Sequence, residues 1–482
     1  MSLYQSGRYS QALQASEALA AQFPGFITAW NLLGHVQRDI GAAAAAAAAF
    51  DRALELDARD PAALKGRARL ALERAESDVG RRYAHALALL PDDPQLVLEQ
   101  TEARLTAGDT SAVEAFESFV RSRPEWSEGH LALARLLWEV RRDPGFAEPV
   151  LRLLRRDPGR FDLWRGLIDL FSSLDLHAAA ADLAAQARRT AGASNEFLLM
   201  EAVQAGRSGD LGRADALLRM LPPELPGRAL HDATHQIRRQ APDAALTHVE
   251  RALADNPADI AAWAIAELLF RTLGDPRAEW LSGQAGLVQT LELDLASERL
   301  DAIKALLLRL HGTGVQMAGQ SVRDGTQTRW RLFDRTEPEL AEFRAAQERA
   351  IGAYVAALPD EDARHPLLRH RNAPLAITGS WSVRLTGGGH HVSHIHHLGL
   401  LSSACHLQVP PQAGGDRLAG ALELGRPPAD LLLDLEPLQI ILPRPSRLIL
   451  FPSFLHHGTR PFTVGERLSV ALDVNRHPAP PL

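Results

Sequence analysis

The N-terminal part of the chain carries a helical spacing of apolar residues, and the last third replaces it with alternation. Up to about Leu293 the sequence is rich in Ala, Leu, Arg and Glu and is broken by short runs with Pro, Gly or Asp. This pattern predicts successive helices joined by short turns. After Gly312, Gly and Thr become more frequent and apolar residues alternate with polar ones, which predicts β-strands. We therefore expect an all-helical part followed by a sheet.

One repeat unit can be identified directly in the helical part. It consists of small and large apolar residues followed by a turn: Trp30, Leu33, Gly34, Ala46, Phe50, Ala53 and the turn Asp57 to Pro61. This spacing matches the tetratricopeptide signature, whose period is about 34 residues. Stacked repeats of this kind form a solenoid with a concave groove. We predict that this groove binds a protein or peptide substrate.

The change of pattern also suggests the domain organisation. The predicted units are a helical repeat domain over residues 1–293, a helical linker over 294–318 and a sheet-based domain over 319–482. The stretch from Asp157 to Gln240 keeps helical periodicity without the consensus letters, so we interpret it as degenerate repeats. In the last unit, Trp381 to Leu385 and Leu400 to Val409 are predicted strands, and Glu337 to Leu358 is a predicted helix.

Composition narrows the class of protein. A length of 482 residues calls for more than one domain, and a net charge of −7 argues against a nucleic-acid binder. The single cysteine, Cys405, excludes an intrachain disulfide and fits a reducing compartment. Met1 to Gly7 carries no signal-like segment, and no apolar run is long enough for a membrane span. We therefore expect a cytoplasmic protein that contacts neither membrane nor nucleic acid, and the oligomeric state stays open.

Histidines near the C-terminus form the first candidate site. His394 and His396 are two residues apart, so on a strand both would point to one face, and His457 follows from a distant stretch. A facial non-haem iron site normally combines two histidines with one carboxylate. Here His396 occupies the position of the carboxylate, and a metal held by three neutral imidazoles would carry one more unit of positive charge.

Arg467 and Ser469 form the second candidate site. They share one face of a predicted strand whose other face is apolar. A buried arginine is costly unless an anion meets it, and the planar guanidinium suits a carboxylate. Ser469 can donate a hydrogen bond to the same carboxylate.

Taken together, these motifs resemble a family of 2-oxoglutarate- and Fe(II)-dependent oxygenases that is often fused to tetratricopeptide repeats. The matching segments are Gln320-Ser-Val-Arg-Asp-Gly-Thr-Gln-Thr328, Gly379-Ser-Trp-Ser-Val-Arg-Leu385, His394-Ile-His396, Leu401-Ser-Ser-Ala404, Leu450-Phe-Pro-Ser453, His457-Gly-Thr459 with Pro461-Phe462, and Arg467-Leu-Ser469. Where this family tends to have Trp and paired Tyr, the chain has Leu400, Cys405 and His406.

The resemblance implies a double-stranded β-helix of the jelly-roll or cupin type with flanking helices. It also implies that Fe(II) binds to His394, His396 and His457, and that Arg467 and Ser469 hold the distal carboxylate of 2-oxoglutarate. The implied reaction is hydroxylation of a substrate coupled to decarboxylation of 2-oxoglutarate to succinate.

Other histidines and carboxylates near the candidate site are not assigned to it, and two other functions remain possible. His390, His391, His397 and His406 are not expected to be ligands, and Asp473, Asp416 and Glu423 are left out of the metal site. Asp473 is left out because it lies three alternations beyond Arg467. Two other functions compete with the oxygenase. One is a three-histidine iron dioxygenase that uses no 2-oxoglutarate, and the other is a non-catalytic adaptor.

Overall fold

The computed structural model describes residues 8–192, 194–411 and 416–476, so the prediction for Met1 to Gly7 lies outside the described residues. Sixteen consecutive α-helices come first within these ranges. They are α1 (Tyr9–Gln22), α2 (Ile27–Asp39), α3 (Ala43–Leu56), α4 (Pro61–Glu73), α5 (Val79–Leu89), α6 (Pro94–Thr106), α7 (Ala112–Arg121), α8 (Ser127–Arg141), α9 (Glu148–Arg156), α10 (Phe161–Ser173), α11 (His177–Thr190), α12 (Asn195–Arg207), α13 (Leu211–Met220), α14 (Arg228–Arg238), α15 (Pro242–Asp255) and α16 (Ile260–Leu273).

A recurring hydrogen bond marks the repeats. The indole Nε1 of Trp30 donates to the carbonyl oxygen of Pro24, six residues earlier, at 3.0 Å. The same bond recurs from Trp164 to Pro158 at 2.9 Å and from Trp263 to Pro257 at 3.0 Å. Since the middle of these three falls in the stretch without consensus letters, the repeat geometry persists there. The predicted solenoid is confirmed.

Small residues set the spacing of the first helix pairs. Phe50 on α3 is fully buried between Gly34 on α2 and Gly66 on α4. A Cβ atom built on Gly66 would lie 2.4 Å from the Phe50 ring, and one on Gly34 would lie 2.9 Å from it. Both glycines therefore let the backbones approach the ring more closely than any other residue allows.

The part after the solenoid is built on two antiparallel sheets flanked by two helices. The helices are α17 (Ser297–His311) and α18 (Pro338–Ala356), and the strands are β1 (Gln289–Glu292), β2 (Val322–Gln327), β3 (Leu375–His391), β4 (Leu401–Gln408), β5 (Leu422–Leu424), β6 (Gln439–Ile441), β7 (Arg447–Pro452), β8 (His457–Thr459) and β9 (Arg467–Arg476). The major sheet has the order β1-β7-β4-β9-β3-β2, and the minor sheet has the order β6-β5-β8. This arrangement confirms the predicted double-stranded β-helix.

The central strand β9 has one apolar and one polar face, as its alternation predicts. Leu468, Val470 and Leu472 are fully buried in a core shared with α17 and α18, which cover the outer face of the major sheet. Arg467 and Ser469 point to the opposite face, towards the minor sheet. One strand therefore serves both the core and the space between the sheets.

The C-terminal helices of the solenoid share a core with the minor sheet. Buried residues of α16, among them Leu268 and Phe270, cluster with Leu424 of β5 and Phe454. The two parts are therefore joined by continuous apolar packing. The predicted boundaries at residues 293 and 318 stay predictions, and α17, in the predicted linker, packs against the major sheet.

A helix that spans a membrane must be both long and apolar. None of the described helices is long and apolar enough to cross a bilayer.

The packing around Phe50 generates the first prediction. Gly66→Ala is expected to lower the free energy of unfolding by about 1–3 kcal/mol, because the new methyl group collides with the Phe50 ring. Gly80→Ala on α5 is the matched control, since no atom lies within 4 Å of the position that the new methyl group would take and alanine favours a helix. Urea unfolding followed by circular dichroism measures both, and equal stability of the two variants would contradict this role of Gly66.

Candidate functional site

Three histidines meet between the two sheets. His457 begins β8, and its backbone exchanges two hydrogen bonds with His394, at 3.0 and 2.9 Å, in an isolated bridge. His396 lies two residues further in a loop and not on a strand. The convergence that strand alternation predicts is therefore produced by a bridge followed by a loop.

Each of the three imidazoles has its Nδ1 atom at an acceptor. The acceptors are the carbonyl oxygen of Val392 for His394 at 2.9 Å, that of Leu455 for His457 at 3.0 Å, and Oδ1 of Asp473 for His396 at 2.5 Å. With the hydrogen on Nδ1, the lone pair of each ring is on Nε2. The Nε2 atoms of His394 and His396 are 3.2 Å apart, and the ligand atoms of all three residues lie within 4.8 Å of one another.

This donor set fits a metal ion. Lone pairs that face each other repel unless a cation lies between them, and nitrogen ligands stand about 2 Å from a first-row metal. Burial, followed by the charge of His396, lowers the pKa of His394 to about 3, and burial also holds the pKa of His457 well below its usual value. Both rings are therefore neutral and available as ligands at neutral pH.

The neighbouring histidines stay outside this cluster. His391 contacts Ser321 at 3.0 Å, and its ring lies 5.8 Å from that of His394. His397 is exposed, and Nδ1 of His390 lies 3.2 Å from the carbonyl oxygen of Gly388. Buried His456 is not among the three residues whose ligand atoms converge. The structure thus brings together the three histidines singled out in the sequence.

Asp473 is the polar residue that sequence reasoning missed. Its carboxylate accepts from His396 Nδ1 and also lies 3.4 Å from the hydroxyl of Ser402. Asp473 is not among the residues whose ligand atoms converge, and its contact is instead with Nδ1 of His396. His396 lies in the loop between β3 and β4, the two strands that flank β9 in the major sheet. A carboxylate on the histidine ring orients the ring and raises its basicity.

Arg467 is a buried cation without a carboxylate partner among the described residues. Its side chain donates to the hydroxyl of Thr459 and, at 2.6 Å, to Nε2 of His406, and its Nε has no partner. Burial lowers the pKa of Arg467 to about 10. Ser469 lies two residues further on the same strand face and lines the same cavity. An incoming carboxylate would supply the missing counter-charge, so these residues fit an organic anion.

The three departures from the family pattern have different environments. His406 is fully buried, and its ring accepts the hydrogen bond from Arg467, so it supports the guanidinium directly. Cys405 and Leu400 belong to the apolar core behind the sheet, and burial raises the pKa of the Cys405 thiol to about 12. The thiol is therefore a packing group and not a nucleophile.

The histidine cluster and Arg467 line one cavity of about 680 Å³. Its far wall comes from the solenoid and includes Asp169 and Ser173 of α10. Ser321, which precedes β2, lies 3.2 Å from Nε2 of His394. The cavity is therefore lined by both parts of the chain.

A buried glutamate of the solenoid holds the segment that carries Ser321. Glu139 on α8 accepts from the backbone N–H of Ala318 at 3.0 Å and from Arg329 at 2.8 Å, and its side chain is 1% exposed. Trp330 lies under the guanidinium of Arg69 at 4.2 Å. The solenoid thus fixes one wall of the cavity from outside the sheet domain.

Comparison with known proteins agrees with this site. Residues 379–473, which contain the three histidines, Arg467 and Ser469, match the family model described as "Putative 2OG-Fe(II) oxygenase". The description names 2-oxoglutarate and Fe(II), the two cofactors expected from the sequence. No curated protein matches the chain.

Similar solved structures fall into two groups. A prolyl-4-hydroxylase from Pseudomonas putida is 16% identical over 40% of this chain and 93% of its own, with a TM-score of 0.29. HygX from Streptomyces hygroscopicus, with nickel, 2-oxoglutarate and hygromycin B bound, is 13% identical over 40% of this chain and 83% of its own, with a TM-score of 0.28. A tetratricopeptide repeat protein from Parabacteroides merdae is 16% identical over 45% of this chain and 88% of its own, with a TM-score of 0.32.

The matched residues form the centre of the two-sheet domain, and helix pairs of the tetratricopeptide type precede them. Residues 379–473 are therefore similar to the 2OG-Fe(II) oxygenase family, and they follow a tetratricopeptide-like solenoid.

Proposed function

We propose that this chain is a 2-oxoglutarate- and Fe(II)-dependent dioxygenase that hydroxylates a protein or peptide substrate. The observation that carries the proposal is the meeting, in one cavity, of three inward-facing imidazole nitrogens and an unpaired buried arginine. Three neutral nitrogen ligands leave coordination positions open for a cosubstrate and for dioxygen.

Each residue has a distinct task in this proposal. His394, His396 and His457 hold Fe(II) through Nε2, while Asp473 keeps the proton of His396 on Nδ1. Arg467 and Ser469 bind the distal carboxylate of 2-oxoglutarate, and His406 and Thr459 keep the guanidinium in position. Fe(II) together with 2-oxoglutarate supplies the oxidising chemistry, in which one oxygen atom of O₂ enters a substrate C–H bond and the other enters succinate as CO₂ is released.

Arg467 also argues against the competing functions. A dioxygenase that binds a neutral substrate directly to iron has no use for a buried cation without a counter-charge. In an adaptor without catalysis, the guanidinium would have only the neutral acceptors Thr459 and His406, although burying a charge without a counter-charge costs several kcal/mol. The proposed carboxylate ligand accounts for it.

The test of the metal site uses anaerobic titration of metal-free protein with Fe(II). Wild type is expected to bind one ion per chain, and His457→Ala is expected to bind more than about 100-fold more weakly, because loss of a ligand exceeds the effect of losing a supporting group. His397→Ala is the matched control, since this exposed histidine adjoins His396 and should leave affinity unchanged. Equal binding by both variants would move the metal site elsewhere.

Arg467 generates a separate prediction for the cosubstrate. Arg467→Met is expected to weaken 2-oxoglutarate binding about 100-fold while Fe(II) binding persists, because a charge-assisted pair is lost without loss of a metal ligand. The visible charge-transfer band of the chelated complex measures it. Arg384→Met is the control, because Arg384 instead pairs with Glu466. A full-strength band with unchanged affinity in Arg467→Met would favour a dioxygenase that needs no such anchor.

A third prediction concerns Asp473. Asp473→Asn keeps an oxygen acceptor for His396 and removes the negative charge, so Fe(II) affinity is expected to fall about 10–100-fold. Affinity for 2-oxoglutarate in the iron-saturated protein should change little, because Arg467 is untouched. Competition with a chromophoric chelator measures the first quantity. Unchanged Fe(II) affinity would limit Asp473 to a packing role.

A further inference from the structure

The cavity that holds the histidine cluster continues into a second, longer groove. This groove has a volume of about 1430 Å³ and shares Asp169, Ser173, Gln320, Gln327 and Trp381 with the first cavity. One wall is the inner face of the solenoid, and the other is the segment before and after β2 together with the start of β3. A molecule lying in the groove therefore reaches the metal site without leaving the protein.

The length of the groove suits an extended chain. Five successive inner helices, α2, α4, α6, α8 and α10, supply its solenoid wall. Neighbouring helices pack about 8–10 Å apart, so four intervals span roughly 35 Å. An extended peptide advances about 3.4 Å per residue, and about ten residues would fill this length.

The charged side chains along the groove differ in whether they have a partner of opposite charge. Each arginine of its lining has a carboxylate oxygen within 4 Å: Arg38, Arg69, Arg135, Arg165, Arg329 and Arg331. Two carboxylates of the lining, Glu128 and Asp169, have neither a hydrogen-bonding partner nor a salt bridge in the part of the chain that the structure describes. Both carboxylates are exposed to the groove, so a cationic ligand can pair with either of them, whereas each arginine already has a carboxylate nearby.

Asp169 lies where the groove joins the metal-site cavity. Partial burial is the main cause that raises the pKa of this carboxyl group, with Arg165 opposing the shift. Across the same cavity, Arg467 is the unpaired group of opposite sign. A cosubstrate anion at Arg467 and a substrate cation at Asp169 would give each of these two side chains a partner of opposite charge.

We propose that the substrate is an extended, cationic polypeptide segment, which lies in this groove and places a lysine or arginine side chain on Asp169 beside the site of oxidation. The proposal rests on the proposed function and names its substrate class. Recognition comes from both parts of the chain, because α10 supplies the carboxylate and the two-sheet domain supplies the metal site.

The test uses a library of decapeptides randomised at every position, incubated with metal-free full-length protein, with the bound fraction analysed by mass spectrometry. Wild type is expected to enrich lysine and arginine over aspartate and glutamate about fivefold. Asp169→Asn should abolish the enrichment, and Asp169→Lys should favour acidic residues. Glu17→Gln, which removes an exposed carboxylate outside the groove, should behave as wild type.

Several outcomes would overturn the proposal. They are binding without preference for charge, a preference for acidic peptides in wild type, and a cationic preference that is identical in Asp169→Asn. Circular dichroism confirms that the Asp169 variants fold. Fe(II) and 2-oxoglutarate binding is measured on the same samples. A peptide preference without cofactor binding refutes only the proposed function. Cofactor binding without the peptide preference refutes only this inference.

Discussion

Three imidazole lone pairs directed at one point are the constraint on which this structure depends. Each ring has its Nδ1 hydrogen at an acceptor, so none of the three can rotate without losing a hydrogen bond. Neutral donors that converge in this way repel one another, and a cation between them relieves the repulsion. That convergence is produced by the backbone bridge between His394 and His457 and by the loop at His396.

The solenoid takes part in the same site. Glu139 ties the segment of Ala318 and Arg329 to α8, and that segment carries Ser321 to the edge of the histidine cluster. At the C-terminal end of the array, α16 shares a core with the minor sheet. The solenoid is therefore attached to the two-sheet domain by one polar and one apolar contact region. A substrate would therefore meet a preformed groove.

The sequence is sufficient for the parts that depend on local periodicity. Alternation along β9 places Arg467 and Ser469 on one face and Leu468 and Val470 on the other, and the structure agrees. Repeat spacing around Trp30 predicts the solenoid, and the same hydrogen bond recurs at Trp164. Each of these inferences needs only residues that are close along the chain.

Contacts between residues that are far apart in the sequence could not be predicted from local patterns. Counting along its own strand excludes Asp473, whereas its partner His396 reaches it from another part of the chain, 77 residues away. Asp169 carries no signal at all, because nothing in a helical repeat indicates which carboxylate will face a distant cavity. The curvature of the solenoid decides that, and curvature is the sum of many small packing rotations.

The contact between His396 and Asp473 bears on the charge of the proposed iron site. Replacing the usual carboxylate ligand by histidine makes the set of ligands neutral, and this would raise the positive charge at the metal. Asp473 is not itself a ligand, but its carboxylate lies 2.5 Å from Nδ1 of the ligand His396. A ring that donates so closely to a carboxylate becomes a more basic ligand. The negative charge is thus moved outward and not removed, so a three-histidine site of this form need not differ greatly in charge from the common one.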